Sequence, residues 1–195
     1  FTLKTRLCYH YLKDNNKLRY YNKYLQGKIT REELYSLVPQ ELLESVINEK
    51  MSDETIRKVF EKVDNLIGEK SVDVIIGGPP CQAYSLVGRA VKEDNMDGDE
   101  RNYLYKQYCK FLKRYQPKMF VFENVPGLLT AKNGKHFANL KKYLAHVGYK
   151  LDCRELNAKN FGVLQNRRRI IIIGWKAEYD GRYFYPQFED IHHNY

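Results

Sequence analysis

The sequence predicts an α/β fold, a doubly wound sheet preceded by an N-terminal helical segment. Three short apolar runs rich in β-branched residues are typical of strands, and each is ended by glycine or by polar residues. Continuous apolar strands indicate burial on both faces by covering helices. Helical stretches between the runs indicate βαβ units. The three runs are residues 72–76, 119–122 and 170–173.

The remaining elements follow from periodicity and capping patterns. Thr30 and Glu33 have the spacing of a capping box, which opens a short helix. Apolar residues between 56 and 67 share one helical face. We interpret the tyrosines between 9 and 24 as filling a helical interface, with a base-stacking platform as the alternative. Further helices are expected near 103–115 and 136–147, and a strand near 149–156.

Composition narrows the class of protein. A chain of 195 residues is long enough for one compact domain, and its formal net charge of +9 suits a polyanionic partner such as nucleic acid. The sequence contains no run of 18 apolar residues and opens with no secretory signal. We therefore expect a cytoplasmic protein without a membrane partner.

The four cysteines do not form a metal-binding pattern. They are scattered, with no CxxC pair and no neighbouring histidine cluster, so we expect no metal site. Cys8, Cys109 and Cys153 stand among core-like residues and are expected to be small buried hydrophobes. The spacing indicates reduced thiols, as in a cytosolic protein.

Cys81 is the candidate nucleophile. It follows the end of the first strand almost directly, and Glu123 lies at the end of the next strand. In open α/β sheets ligands bind beyond the carboxyl ends of the strands, so both side chains should face one crevice if the strands pair. The alternative is a loop cysteine beside a rigid Pro pair and a surface carboxylate.

Gln165, Arg167 and Arg169 alternate along the chain. Residues two apart share a face in an extended segment, so the three can point the same way as they enter the strand at 170. Two guanidinium groups in one crevice would suit a phosphate or an electron-rich ring. An ordinary surface basic cluster is the alternative.

Three sequence blocks together resemble the signature blocks of DNA cytosine-C5 methyltransferases. They are Gly78-Pro-Pro-Cys-Gln-Ala-Tyr-Ser85, Phe122-Glu-Asn-Val125 and Gln165-Asn-Arg-Arg-Arg169, and their order and spacing match as well. The segment 157–163 also resembles the one that precedes the last block in this family. The resemblance covers about residues 70–175 and implies a Rossmann-like methyltransferase sheet.

By position, the resemblance implies the following roles. Cys81 would attack C6 of a cytosine flipped out of double-stranded DNA, Glu123 would hydrogen-bond its exocyclic amine and N3, and Arg167 and Arg169 would position base and thiolate. S-adenosylmethionine would supply the methyl group for C5. The implied cofactor contacts are Gly78, Pro80 and Leu104, and the implied DNA contacts are Gln82, Ser85 and Gln165.

The chain also departs from the family pattern. The Phe-x-Gly-x-Gly block that begins the cofactor pocket has no counterpart, and a target recognition domain is not recognisable. We therefore expect a fragment that is inactive in isolation and binds S-adenosylmethionine weakly or not at all. The expected organisation is a helical segment or insertion of the catalytic domain (1–70), the catalytic core (71–175) and a linker toward the recognition domain (176–195).

Two other functions stay open. One is a catalytically inert nucleic-acid-binding fragment, which the missing first block favours and the intact Cys81 and Glu123 oppose. The other is a tRNA cytosine-C5 methyltransferase, which shares these blocks; the Cys-Phe-Thr tripeptide that marks that branch is absent. Within the leading hypothesis, a bacterial restriction–modification enzyme is expected. Neither the recognised DNA site nor the oligomeric state follows from the sequence.

Overall fold

The computed structural model describes residues 1–79, 104–131 and 133–179. The chain divides into a helical unit and a sheet unit, and each has its own hydrophobic core. The predicted α/β class is confirmed, because the sheet unit is built around a four-stranded sheet and carries helices. The helical unit comprises Phe1–Lys50 and Arg57–Gly68, and the sheet unit comprises Met51–Ile56 and Glu69–Tyr195.

Short helices make up the helical unit. The predicted capping box is confirmed: the Glu33 amide donates to the Thr30 hydroxyl (3.1 Å), and the Thr30 amide donates to the Glu33 carboxylate (2.6 Å). These two bonds satisfy amide groups that have no partner within the helix. The helices are α1 (Thr2–Asp14), α2 (Leu18–Leu25), α3 (Arg31–Ser36), α4 (Gln40–Glu44) and α5 (Ile56–Ile67).

The core of the helical unit combines aliphatic and tyrosine side chains. Cys8, Leu12 and Leu34 are fully buried where α1 and α3 meet. Most of the tyrosines of α1 and α2 are half-buried against this cluster, so the predicted helical interface is confirmed for them. The tyrosines packed on the cluster in this stretch are Tyr11, Tyr20, Tyr21 and Tyr24.

The sheet has the strand order β1-β2-β4-β3. Strands β1 and β2 are parallel neighbours, whereas β4 runs antiparallel to both of its neighbours. Only ten residues, 158–167, connect β3 to β4, which is too short for the helical crossover that a parallel pair requires. The elements are β1 (Val74–Gly77), α6 (Leu104–Tyr115), β2 (Met119–Asn124), α7 (Gly127–Thr130), α8 (Lys135–His146), β3 (Tyr149–Asn157) and β4 (Arg168–Lys176).

Helix α6 packs on one face of the sheet through Tyr108. The Tyr108 ring makes edge-on contacts with Phe120 and Phe122, and its hydroxyl lies 3.1 Å from the Ile75 carbonyl and 3.0 Å from the Val121 carbonyl. Burial raises the pKa of this phenol. Strand β2 alternates between buried residues, which include Phe120 and Phe122 beneath Tyr108, and half-buried residues on its other face. The main core therefore lies on the α6 face.

The described cysteines behave as core residues. Cys8 and Cys109 are fully buried, and Cys153 is half-buried. Burial raises the pKa of all three thiols, that of Cys109 to about 12. They are therefore poor nucleophiles at neutral pH. In the described ranges, no helix is long and apolar enough to cross a membrane, and no cluster of three acidic, His or Cys side chains could hold a metal ion.

Candidate active site

Glu123 lies at the carboxyl end of β2, and the strand register decides what faces it. It pairs with Ile171 of the antiparallel β4. Paired residues of neighbouring strands share a face, and so do residues two apart along one strand. Glu123 therefore shares its face with Arg169, which comes two residues before Ile171. Because β4 is antiparallel, its beginning meets the end of β2.

Two guanidinium groups hold the Glu123 carboxylate. Arg169 Nε lies 2.8 Å from Glu123 Oε1, and Arg167 Nη2 lies 3.6 Å from the same oxygen. The Arg169 side chain is 25% exposed and that of Glu123 is 40% exposed. Pairs so open to water contribute only about 0–1 kcal/mol to stability. The two ion pairs therefore fix the position of the Glu123 carboxylate and add little to the free energy of folding.

Gly78 lies directly against this carboxylate. Gly77 pairs with Phe122 in the parallel register, which places the next residue beside Glu123. A Cβ built on Gly78 would lie 2.9 Å from Glu123 Oε2 and 3.0 Å from the Glu123 carbonyl oxygen. Both distances are too short for a side chain. Glycine at this position therefore leaves the space that the Glu123 side chain occupies.

Asn124 joins the ends of the two parallel strands. Its side chain is 4% exposed and donates from Nδ2 to the Pro79 carbonyl oxygen (3.2 Å). Its Oδ1 accepts from the Val125 amide (2.9 Å). No role for Asn124 is expected from the sequence. The available signal was a polar residue at a strand position that alternation places on the buried face.

The three consecutive arginines divide between the two faces of the sheet. Arg168 forms an ion pair with Glu155 of β3, while Arg167 and Arg169 reach Glu123. This division follows from the twofold alternation of side chains in an extended chain. The segment is therefore more than a loose basic cluster on the surface.

The other predicted site residues are placed as follows. Gln165 is exposed in a turn before β4, where its carbonyl oxygen accepts from the Arg167 amide (3.0 Å). Leu104 is half-buried at the start of α6. Helix α6 returns the chain to the beginning of β2, so its first residue lies toward the carboxyl end of the sheet. Cys81, Pro80, Gln82 and Ser85 lie outside the described residues.

The described part of the site offers a defined set of groups to a ligand. A half-exposed carboxylate can accept hydrogen bonds from an amine, or share a proton with a ring nitrogen. Two guanidinium groups fix its position and add donors around it. Gly78 is exposed beside it, and the chain from Pro79 leads within two residues to Cys81. Such a set suits a planar heterocycle with an amidine edge.

Comparisons with known proteins agree with this chemistry. The family profile described as C-5 cytosine-specific DNA methylase matches residues 39–194. The Type II methyltransferase M.Bpa9945I of Bacillus paralicheniformis is 37% identical over 216 residues, which cover 96% of this chain and 48% of that protein. M1.HphI of Haemophilus parahaemolyticus is 45% identical over 116 residues, 58% of this chain and 31% of that protein.

The chain spans about half of the length of M.Bpa9945I and a smaller part of the other. The matched family region contains Glu123, Arg167 and Arg169, the three charged residues that the structure brings together. The family profile matches four fifths of the chain, and this extent is sufficient to assign the family. The chain belongs to the family of C-5 cytosine-specific DNA methylases.

Proposed function

We propose that the protein transfers a methyl group from S-adenosylmethionine to C5 of a cytosine in double-stranded DNA, as part of bacterial restriction–modification. The observation that carries the proposal is the Glu123 carboxylate, held by Arg169 and Arg167 at the sheet edge that also receives the chain leading to Cys81. The target atom is inaccessible in a duplex, so the cytosine would be flipped into this crevice.

Each side chain has a part in this reaction. The Cys81 thiolate would form a bond to C6, and the electron pair of the C5–C6 double bond would move toward C5. Glu123 would bind the exocyclic amine and N3, which stabilises the ring while that charge develops. After methylation, a water molecule would take the C5 proton, the electron pair of that C–H bond would restore the C5–C6 double bond, and the Cys81 thiolate would leave with the electron pair of the C6–S bond. Arg167 and Arg169 would keep Glu123 and the base in position during all of these steps.

The methyl donor would be held beside the same sheet edge. When bound, S-adenosylmethionine supplies an electrophilic methyl group. Gly78 is exposed and Leu104 offers an apolar side chain, a combination that fits the backbone contacts and apolar packing of an adenosyl group. Pro80 would complete this set. Gln82, Ser85 and Gln165 would contact the DNA.

We further propose how the chain is organised around this activity. Residues 1–70 would be a helical segment or insertion belonging to the catalytic domain, 71–175 the catalytic core, and 176–195 the linker toward a target recognition domain. Reduced thiols and a DNA substrate would suit a protein of the bacterial cytoplasm.

Covalent trapping tests the proposed function. The full-length protein is incubated with S-adenosylmethionine and duplex DNA in which 5-fluorocytosine replaces cytosine, because fluorine at C5 blocks the final elimination. A covalent adduct on Cys81 is expected in mass spectrometry. Cys81→Ala should form none, and Glu123→Gln should form it at least roughly 10²-fold more slowly.

Glu155→Gln is the matched control for Glu123→Gln, because Glu155 also pairs with an arginine of β4 but on the other face. It should trap DNA at the wild-type rate. An absence of adduct on a mixed-sequence DNA library, with cofactor binding verified by calorimetry, would refute the mechanism. An adduct formed with RNA in place of DNA would move the substrate to tRNA.

A further inference from the structure

An open groove in the helical unit is not used by the proposed reaction. It lies where α1, α2 and the beginning of α3 come together, and its volume is about 640 Å³. We call it the tyrosine groove. Aromatic and basic side chains dominate its lining, to which no Asp or Glu of the described ranges contributes. Its principal residues are Arg6, Tyr9, His10, Tyr21, Tyr24 and Arg31.

The aromatic side of the groove is held in place by ring contacts. Tyr9 packs edge-on against Tyr21, with ring centroids 5.1 Å apart, and against His10 at 5.2 Å. Tyr21 in turn contacts Tyr24 at 6.1 Å. Tyr21 and Tyr24 also rest on the core of the helical unit. These rings therefore present fixed surfaces and hydroxyl groups to whatever enters the groove.

The two guanidinium groups of the groove lack acidic partners among the described residues. Arg31 stacks over the Phe1 ring at 4.5 Å, and its Nε is buried without a hydrogen-bond acceptor. Arg6 is exposed and forms no ion pair with a described residue. A buried donor without an acceptor is unfavourable, and an entering anion would satisfy it. The groove is thus built for negative charge.

The charge of the surrounding chain also favours an anionic ligand. Residues 1–31 contain eight Lys and Arg and one acidic residue, a net charge of +7 out of +9 for the whole chain. None of the eight cations forms an ion pair with a described carboxylate. Uncompensated charge at this density raises the local concentration of polyanions. A single small anion would neutralise only a fraction of it.

We infer that the tyrosine groove binds the phosphodiester backbone of DNA, independently of base sequence. Arg6 and Arg31 would contact phosphate oxygens, and the tyrosine hydroxyls and rings would contact phosphates and sugars. The inference rests on the proposed function only in taking DNA as the polyanion. Backbone contacts of this kind position a protein on DNA without reading sequence.

The salt dependence of DNA binding tests the inference. Affinity of the full-length protein for a labelled duplex that lacks its methylation site is measured by fluorescence anisotropy over a range of salt concentrations. The double variant Arg6→Gln/Arg31→Gln should bind roughly tenfold more weakly, and its slope of log K against log salt should fall by about 1 for each phosphate that is no longer neutralised. Arg6→Lys/Arg31→Lys should keep most of the slope.

The matched control is Lys118→Gln/Arg154→Gln, which removes the same charge from cations that already pair with Asp73 and Asp152. It should leave the slope within experimental error of wild type. Equal slopes for the groove variant and this control would overturn the inference. So would a groove variant that loses affinity for an acidic peptide but keeps its affinity for DNA.

Failure of this inference and failure of the proposed function give different results. If trapping on 5-fluorocytosine fails while the groove variant still loses salt dependence, the groove stands and the catalytic proposal does not. If trapping succeeds and the groove variant has the same salt slope as the control, the catalytic proposal stands and the groove does not bind DNA.

Discussion

The arginines at the start of β4 and the cations of residues 1–31 use positive charge in opposite ways. In the sheet unit, the three consecutive arginines at the start of β4 each have a carboxylate partner: Glu123 for two of them and Glu155 for the third. In residues 1–31, eight cations share no ion pair with any described carboxylate. The first pattern fixes geometry, whereas the second leaves charge available to a ligand.

The difference shows that net charge alone says little about function. A pairing cation is neutralised locally and acts by holding its partner in place. An unpaired cation acts at longer range and is screened by salt. We therefore expect variants in the sheet unit to affect the rate of reaction or the folding of the unit, and variants in residues 1–31 to affect mainly the binding of DNA.

The largest expected difference in the rate of methyl transfer is between variants of two neighbouring arginines. Arg169→Gln removes the 2.8 Å contact to Glu123 and should lower the rate of methyl transfer roughly 10²-fold. Arg168→Gln removes the same charge one residue away, from a pair with Glu155, and should change that rate by no more than about twofold. Steady-state kinetics on duplex DNA measure both. Similar reductions in the two variants would mean that total charge, not pairing, matters.

A methyl group at Gly78 tests how tightly the carboxylate is enclosed. In Gly78→Ala the new Cβ would meet the Glu123 carbonyl oxygen at 3.0 Å, so the strand ends must separate. We expect a decrease of about 2 kcal/mol in the free energy of unfolding, together with slower transfer. Urea denaturation provides the measurement. A Gly78→Ala variant with wild-type stability and wild-type rate of methyl transfer would show that the strand ends can separate at no cost.

Asn124 tests the link between the two parallel strands. Asn124→Ala leaves the Val125 amide without its acceptor and removes the bond to Pro79, which should cost about 1–2 kcal/mol. Asn124→Asp keeps the acceptor for the Val125 amide but loses the donor to Pro79. It should therefore lose less stability than Asn124→Ala and still transfer methyl groups more slowly than wild type. Kinetics and denaturation on both variants separate the two effects. A wild-type transfer rate in Asn124→Asp would contradict the role of the Pro79 bond, because that variant lacks the donor.

The smallest effect is expected from the capping box of the helical unit. Thr30→Ala should cost about 1 kcal/mol. The Thr30 amide holds the pKa of Glu33 below its ordinary value, so its stabilisation is present at neutral pH and lost as pH falls below about 4. The difference in melting temperature between wild type and Glu33→Gln should therefore shrink in acid. A difference that stays constant with pH would exclude this origin.

Much of the fold could be predicted from the sequence because local patterns agreed with it. The apolar runs at 119–122 and 170–173 lie within β2 and β4, and Thr30 with Glu33 formed the expected cap. Strand direction was less accessible. Periodicity identifies a strand but carries no information on whether its neighbour is parallel, and here only the short 158–167 connection hinted at the antiparallel return of β4.

The candidate site was predicted in part, for a related reason. The alternation of Arg167 and Arg169 holds in the structure, and both reach Glu123, but the same argument did not find Asn124. Its importance lies in a bond to a backbone carbonyl 45 residues away in the chain, which no local pattern reveals. Meeting of Cys81 with Glu123 stays a prediction, since Cys81 lies outside the described residues.

The division of the three arginines between opposite faces has a consequence for how this chain tolerates changes in length. Inserting or deleting one residue between Arg169 and Ile171 would exchange the two faces: Arg167 and Arg169 would move to the face of Glu155, and Arg168 to the face of Glu123. The loop at 158–166 lies before the arginines and can change length without this exchange. Among natural relatives, gaps should therefore accumulate in that loop and be rare in the four residues that follow Arg167.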